Sequence, residues 1–238
     1  VRKIKPDIIY CSVSAFGQTG PYAARAGYDV IAQAYSGLMY YTGSPDGPPT
    51  KIGIAIGDYV GVLNAFGNIM AALYYRQKTG IGQHVDVSLA RGLLWMAACF
   101  DYKITGKERE RAGQYDVNLC PYGIYNGPNN ESIVIGAVNM RLWEQLCLAM
   151  GRPELAKDPR YCTNDVRVAH RDEVLEILEG WLYSLPSVDA AADLLNQYGV
   201  PNCKVYCSRE LERDPHALAC KWIAPQPTPD SITSVDHI

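Results

Sequence analysis

Asp58 directly follows Gly57 and opens a long run in which Val62, Phe66, Ile69 and Leu73 recur at helical spacing. That pattern puts a carboxylate at the expected N-cap of a helix, where short polar side chains satisfy backbone N–H groups that lack a partner. The positive end of a helix favours an ionised carboxylate, which is the form able to act as a nucleophile. Gly53 and Gly57 in the preceding loop allow a ligand to approach the backbone closely. Position alone nevertheless favours the plainer role of structural cap, because caps are common and nucleophilic aspartates are rare.

The other chemistry-bearing residues give weaker signals. Residues 15–21, Ala-Phe-Gly-Gln-Thr-Gly-Pro, form a glycine loop that lacks both the Lys-Ser/Thr pair of a Walker loop and the spacing of a dinucleotide fingerprint. Gly80 and Gly82 read as a helix C-cap and turn. No Gly-x-Ser-x-Gly nucleophile elbow occurs. His84 on a short strand and His170 beside Arg171 and Asp172 both read as structural, and His216 and His237 have no context. The 8 cysteines are scattered without a Cys-x-x-Cys pair. This argues against a metal site or a disulfide framework and for reduced thiols in a cytoplasmic protein.

Any such site needs a scaffold, and the composition supplies one. The 238 residues are 48% hydrophobic and 20% charged, enough for a sizeable core and too apolar for disorder. A net charge of −3 without a basic cluster gives no electrostatic reason to expect nucleic acid. The longest apolar run, residues 92–100, is far short of the roughly 20 residues of a membrane helix, so no membrane partner is expected. The start at Val1, without Met, and the Pro-rich end from Ala224 read as a segment of a longer chain.

Along the chain, a strand is expected over residues 8–14, helices over 29–39 and 58–78, a strand over 83–87 and a helix over 88–102. The charged segment 103–116 reads as a linker. Strands over 122–125 and 132–138 follow, then helices over 140–150, 170–183 and 188–198, a strand over 202–206 and a short helix over 208–212. The order suits an α/β layer architecture.

Read together, the motifs resemble the class III CoA-transferases, the family of formyl-CoA:oxalate and carnitine CoA-transferases. The resemblance is carried by Tyr10-Cys-Ser-Val-Ser-Ala-Phe-Gly-Gln-Thr-Gly-Pro21, Gly27-Tyr-Asp29, Gln33-Ala34, Ser36-Gly37, Gly47-Pro-Pro49 and Gly57-Asp58. It continues through Ala71-Ala-Leu73, Thr79-Gly-Ile-Gly-Gln-His-Val-Asp-Val-Ser-Leu89, Pro121-Tyr-Gly123, Arg167-Val-Ala-His-Arg-Asp172 and Gly199-Val-Pro201. Each motif is weak alone; their order and spacing are specific.

The resemblance implies an α/β fold: part of a Rossmann-like large domain carrying the nucleophile (residues 1–105), a linker and smaller α+β domain (106–200), and the start of a return to the large domain (201–238). It implies that Asp58 is the nucleophile of a CoA transfer between an acyl-CoA thioester and a free carboxylic acid. Coenzyme A would be a substrate, with no tightly bound cofactor. Tyr28, Asp29 and Gly57 would line the pocket, Leu89 would pack against CoA near the thioester, and Arg25 stands near a position for a basic contact to CoA. The full-length protein would be an interlocked homodimer.

The same resemblance frames two alternatives. In the related α-methylacyl-CoA racemases a histidine occupies the position of Tyr28, and a phenol of ordinary acidity is a poor substitute for that base. The other is a truncated, non-catalytic CoA-binding module, since the family's N-terminal portion and C-terminal return lie outside the chain. This sequence also departs from the family pattern. Arg91-Gly92 stands where many members carry Asp-Ala, and Ala15 replaces a usual glycine. Residues 113–118 replace a poly-glycine flap, which weakens any expectation of oxalate or formate specificity.

Overall fold

The computed structural model describes residues 1–96, 99–226 and 235–237. Its chain divides into two units, Val1–Gln114 and Tyr115–Ile238.

In the first unit, strand β1 (Tyr10–Ser14) lies parallel to β2 (His84–Ser88), in a register that pairs Cys11 with Val85 and Val13 with Val87. A parallel pair requires a crossover. Here it consists of α1 (Asp29–Tyr35), α2 (Leu38–Tyr41) and the long α3 (Ile56–Thr79). The helix expected over 29–39 is broken because Gly37 adopts a φ of 83°, the left-handed region open to glycine. Gly80, with φ of 72°, ends α3 as expected, its N–H donating to the Arg76 carbonyl at 2.7 Å. Beyond β2 come α4 (Leu89–Met96) and α5 (Cys99–Thr105); the middle of the single helix expected over 88–102, at residues 97 and 98, lies outside the described residues.

Helix α3 turns its small residues inward. Gly57, Gly61 and Ala72 are buried, whereas Val62 and Phe66 are each 66% exposed. Tyr59, Leu63, Met70 and Tyr74 share that exposure. Among the described residues this is the one helix long and apolar enough to cross a membrane by length and composition. The inward glycines bring it close to α4: a Cβ on Gly61 would lie 2.5 Å from Leu89 Cδ2, and one on Gly92 would lie 2.8 Å from Val60 Cγ1. Ala32, Leu89, Ala90 and Leu93 form the core between these helices and α1.

The segment expected to be a linker is docked on the first unit as far as residue 114. Arg111 donates to the carbonyls of Tyr40, Ser44 and Gly47 at 3.1, 3.1 and 2.9 Å, and the Gly113 N–H reaches the Gly43 carbonyl at 3.0 Å. A five-donor guanidinium is suited to gathering a loop's carbonyls in this way.

The second unit is built on an antiparallel sheet in the order β3 (Tyr122–Asn126), β4 (Ser132–Gly136), β5 (Asn202–Lys204). Strand β5, which the sequence placed at the start of a return to the large domain, pairs with β4. Helices α6 (Met140–Ala149), α7 (Asn164–Ala169), α8 (Arg171–Tyr183) and α9 (Val188–Gln197) surround a core centred on Trp143, Ile133, Ile135, Leu178 and Leu195. Arg167 is fully buried in it, donating to the Cys120 and Tyr161 carbonyls at 2.7 and 2.8 Å and lying over the Trp143 ring. Two short helices, α10 (Ser208–Leu211) and α11 (Pro215–Ala219), and an antiparallel pair, β6 (Ala224–Gln226) with β7 (Val235–His237), complete the described chain.

Candidate active site

The site is built around the start of α3, and there the structure corrects the sequence reading. The N-cap is Ala55, which has no side chain able to accept a hydrogen bond; Asp58 lies within the first turn. Its backbone N–H donates to the Ala55 carbonyl at 3.1 Å. Its side chain is exposed and has no hydrogen-bond partner among the described residues.

The capping carboxylate comes from another element. Asp29, the first residue of α1, accepts the Gly57 N–H through Oδ1 at 2.6 Å. Its second oxygen, Oδ2, accepts from Gln33 Nε2 at 2.7 Å. Gln33 is 1% exposed and fully engaged: Nε2 also reaches the Ile54 carbonyl at 3.3 Å, and Oε1 accepts the Ile52 N–H at 3.0 Å. Helix α1 therefore grips both the loop entering α3 and the first turn itself. Gly57 is required for the approach, since a Cβ there would sit 2.8 Å from Asp29 Oδ1 and 3.1 Å from Leu93 Cδ1.

The remaining expected site residues fall into two groups. Tyr28 precedes Asp29 and is 81% exposed, a ring presented to solvent beside the capped turn. Leu89 is 7% exposed and packed with Ala32, Ala90 and Leu93, so in this unit its side chain belongs to the core. Arg25 stacks on aromatic rings, its guanidinium 5.4 Å from the Phe16 ring centroid and 5.2 Å from that of Tyr22. Phe16, Tyr22 and Tyr35 form a mutually edge-on trio with centroids 5.2 to 5.8 Å apart. They wall a cavity of about 380 Å³ that Ser88 and Arg91 also line.

Two contributors carried no assigned role in the sequence. Gln33 stood inside a recognised motif, but nothing local shows that its amide spans α1 and the loop before α3. Arg91, which stood only as a departure from the family pattern, is exposed and lines the cavity, while the tight contact falls on its neighbour Gly92. No cluster of metal-ligating side chains exists among the described residues.

A parallel β–α–β crossover presenting an exposed carboxylate at a helix start capped from elsewhere defines an α/β unit with a candidate nucleophile. The chain belongs to CoA-transferase family III, whose model matches residues 1–237. It is 38% identical over 232 residues to a succinyl-CoA–D-citramalate CoA-transferase of Chloroflexus aurantiacus, covering 97% of this chain and 58% of that protein. It is 40% identical over 204 residues to an acetyl-CoA:oxalate CoA-transferase of Acetobacter aceti, covering 84% of this chain and 52% of the relative. Among solved structures, a CAIB/BAIF family protein from Brucella suis matches with a TM-score of 0.83 at 33% identity, covering 98% of this chain and 64% of that one. The chain thus spans little more than half the length of these curated relatives. The α/β reading agrees with these matches.

Proposed function

We propose that this chain carries the reacting carboxylate of an acyl-CoA:carboxylate CoA-transferase, and that the carboxylate is Asp58. The observation that supports the reading most directly is the uncommitted, exposed side chain of Asp58 beside a turn capped by Asp29, in a member of CoA-transferase family III.

In this reading an Asp58 carboxylate oxygen attacks the thioester carbonyl of the donor. The C–S bond breaks, giving a mixed anhydride and CoA thiolate. The thiolate attacks the aspartyl carbonyl, releasing the donor acid and leaving an aspartyl–CoA thioester. The acceptor carboxylate then attacks that thioester, regenerating an anhydride and thiolate. Attack of the thiolate on the acceptor's acyl carbon yields the new acyl-CoA and returns Asp58 as a carboxylate. Tyr28 stands in place of the histidine that proton abstraction at the α-carbon would use, so transfer is favoured over racemisation. The whole protein would work as an interlocked homodimer with part of a Rossmann-like domain in this chain. The exposed apolar face of α3 supports that reading, because such faces are covered in a finished assembly.

The test is to incubate the whole protein with a panel of acyl-CoA thioesters, quench with hydroxylamine and examine the peptide containing Asp58 by mass spectrometry. A hydroxamate on Asp58, absent from Asp58→Asn, is the expected result. An unmodified Asp58 with every donor, despite measurable CoA binding, rejects the mechanism, and α-proton exchange would then be measured.

A further inference from the structure

We propose that Asp29, held by Gln33, is a positioning residue for Asp58: it supplies the carboxylate that caps α3 and so leaves the Asp58 carboxylate uncommitted at a fixed helix start. This inference rests on the reading of Asp58 as nucleophile.

The first N–H groups of a helix have no partner within it. Ala55 at the cap position has no side-chain acceptor to offer, so any protein partner for these groups comes from another element, and a carboxylate there is favoured by the helix dipole. Asp58 is in the turn itself, yet the Gly57 N–H goes to Asp29 at 2.6 Å. A carboxylate accepting its own helix's N–H groups would have lone pairs occupied and an orientation dictated by the helix. Dividing the tasks leaves one carboxylate to cap and its neighbour to react. Gln33 makes the division specific, because its buried amide fixes Asp29 Oδ2 at 2.7 Å while binding the Ile52 N–H at 3.0 Å and the Ile54 carbonyl at 3.3 Å. The amide therefore ties the capping carboxylate to the loop that sets where α3 begins.

The test uses the whole protein and a donor that yields the Asp58 hydroxamate in the wild type. Adduct rate and end-point are followed for Asp29→Asn, Gln33→Glu and the double variant. Whichever way it is turned, the amide of Asp29→Asn sets an N–H against either the Gly57 N–H or the Gln33 amide. Gln33→Glu alone sets two carboxylates together. The double variant again opposes a donor and an acceptor. Each single variant is expected to slow adduct formation about ten- to a hundredfold, the scale of a small misplacement of a reacting group. The end-point should match the wild type, and the double variant should recover part of the rate, since it restores a donor and acceptor between the two side chains but leaves the Ile54 carbonyl without its Gln33 donor. Wild-type rates in both single variants would overturn the proposal. So would end-points that fall with the folded fraction and are not rescued, which is loss of fold alone. If Asp29→Asn does not fold, Gln33→Glu and the double variant decide by the same criteria. A wild type with no adduct at all rejects the nucleophile reading, a result distinct from slow but complete labelling.

Discussion

Asp29 Oδ1 accepts the Gly57 N–H at 2.6 Å from 28 positions away in the chain, and the residue next to Gly57 is Asp58. Two acidic residues therefore meet at one helix start, and Asp29 is the one that caps it. The structural cap that position alone would assign to Asp58 is supplied by Asp29, which removes the main objection to a chemical role for Asp58.

The close approach makes Gly57 sensitive to a single methyl. In Gly57→Ala the new Cβ would meet Asp29 Oδ1 at 2.8 Å and Leu93 Cδ1 at 3.1 Å. Relief requires the carboxylate to withdraw from the turn it caps. A loss of about 1–3 kcal/mol in chemical denaturation is expected, the usual range for overpacking. Gly53→Ala is the control: its Cβ would meet nothing within 4 Å, so stability should stay within about 0.5 kcal/mol of wild type.

Leu89 can be assigned between packing and CoA contact by its coupling to Gly61. Leu89 is 7% exposed, and a Cβ on Gly61 would lie 2.5 Å from its Cδ2. Leu89→Ala should cost about 2–5 kcal/mol as a buried truncation, and Gly61→Ala about 1–3 kcal/mol as an overpacked helix contact. In the double variant the new methyl enters space the leucine has left, so the combined loss should be less than the sum. Strict additivity, or a Leu89→Ala protein of unchanged stability with a raised KM for acyl-CoA, would move Leu89 from the core to the binding surface.

Features governed by neighbours in sequence were legible. The end of α3 at Gly80 follows from one residue's access to the left-handed region, and the periodicity of Val62, Phe66, Ile69 and Leu73 correctly announces a helix. The same periodicity does not identify which face packs. Val62 and Phe66 are exposed, and the packed face is marked by Gly57, Gly61 and Ala72, whose contribution is closeness rather than apolar bulk. The break at Gly37 was missed because a glycine in a helical run does not reveal the sign of its φ. Asp58 could be singled out from local pattern, but its freedom from capping depends on Asp29 and Gln33, which only the fold of α1 against the loop brings to it.

Arg167 offers a test of the second unit. It is fully buried without a carboxylate partner among the described residues, and burial pushes its guanidinium below the ordinary arginine value. Its donors hold the Cys120 and Tyr161 carbonyls. Arg167→Leu leaves both acceptors without those bonds and should cost about 2–4 kcal/mol, judged by the usual penalty for stranded buried polar groups. Arg167→Lys should recover little, because an ammonium cannot reproduce the planar fork or its stacking on Trp143. Denaturation followed by tryptophan fluorescence reads both variants, and a silent Arg167→Leu would refute the role.

Acid sensitivity in the same unit should pass through Glu210. The backbone N–H of Cys207 donates to its Oε2 at 2.8 Å, and Lys204 Nζ lies 3.0 Å from Oε1. These contacts hold the carboxyl down at about 2, against an ordinary value of 4.5. A carboxyl more acidic in the folded than in the unfolded chain contributes stability above the unfolded value and loses it as pH falls through the folded one. The contribution should therefore be complete at neutral pH, decline below about pH 4.5 and be gone near pH 2. Glu210→Gln keeps the size of the side chain and removes the ionisation. Its Tm should lie below that of the wild type at pH 7, and the two curves should converge across that acid window. A gap that persists unchanged to pH 2 would mean that the capping geometry, not the charge, carries the effect.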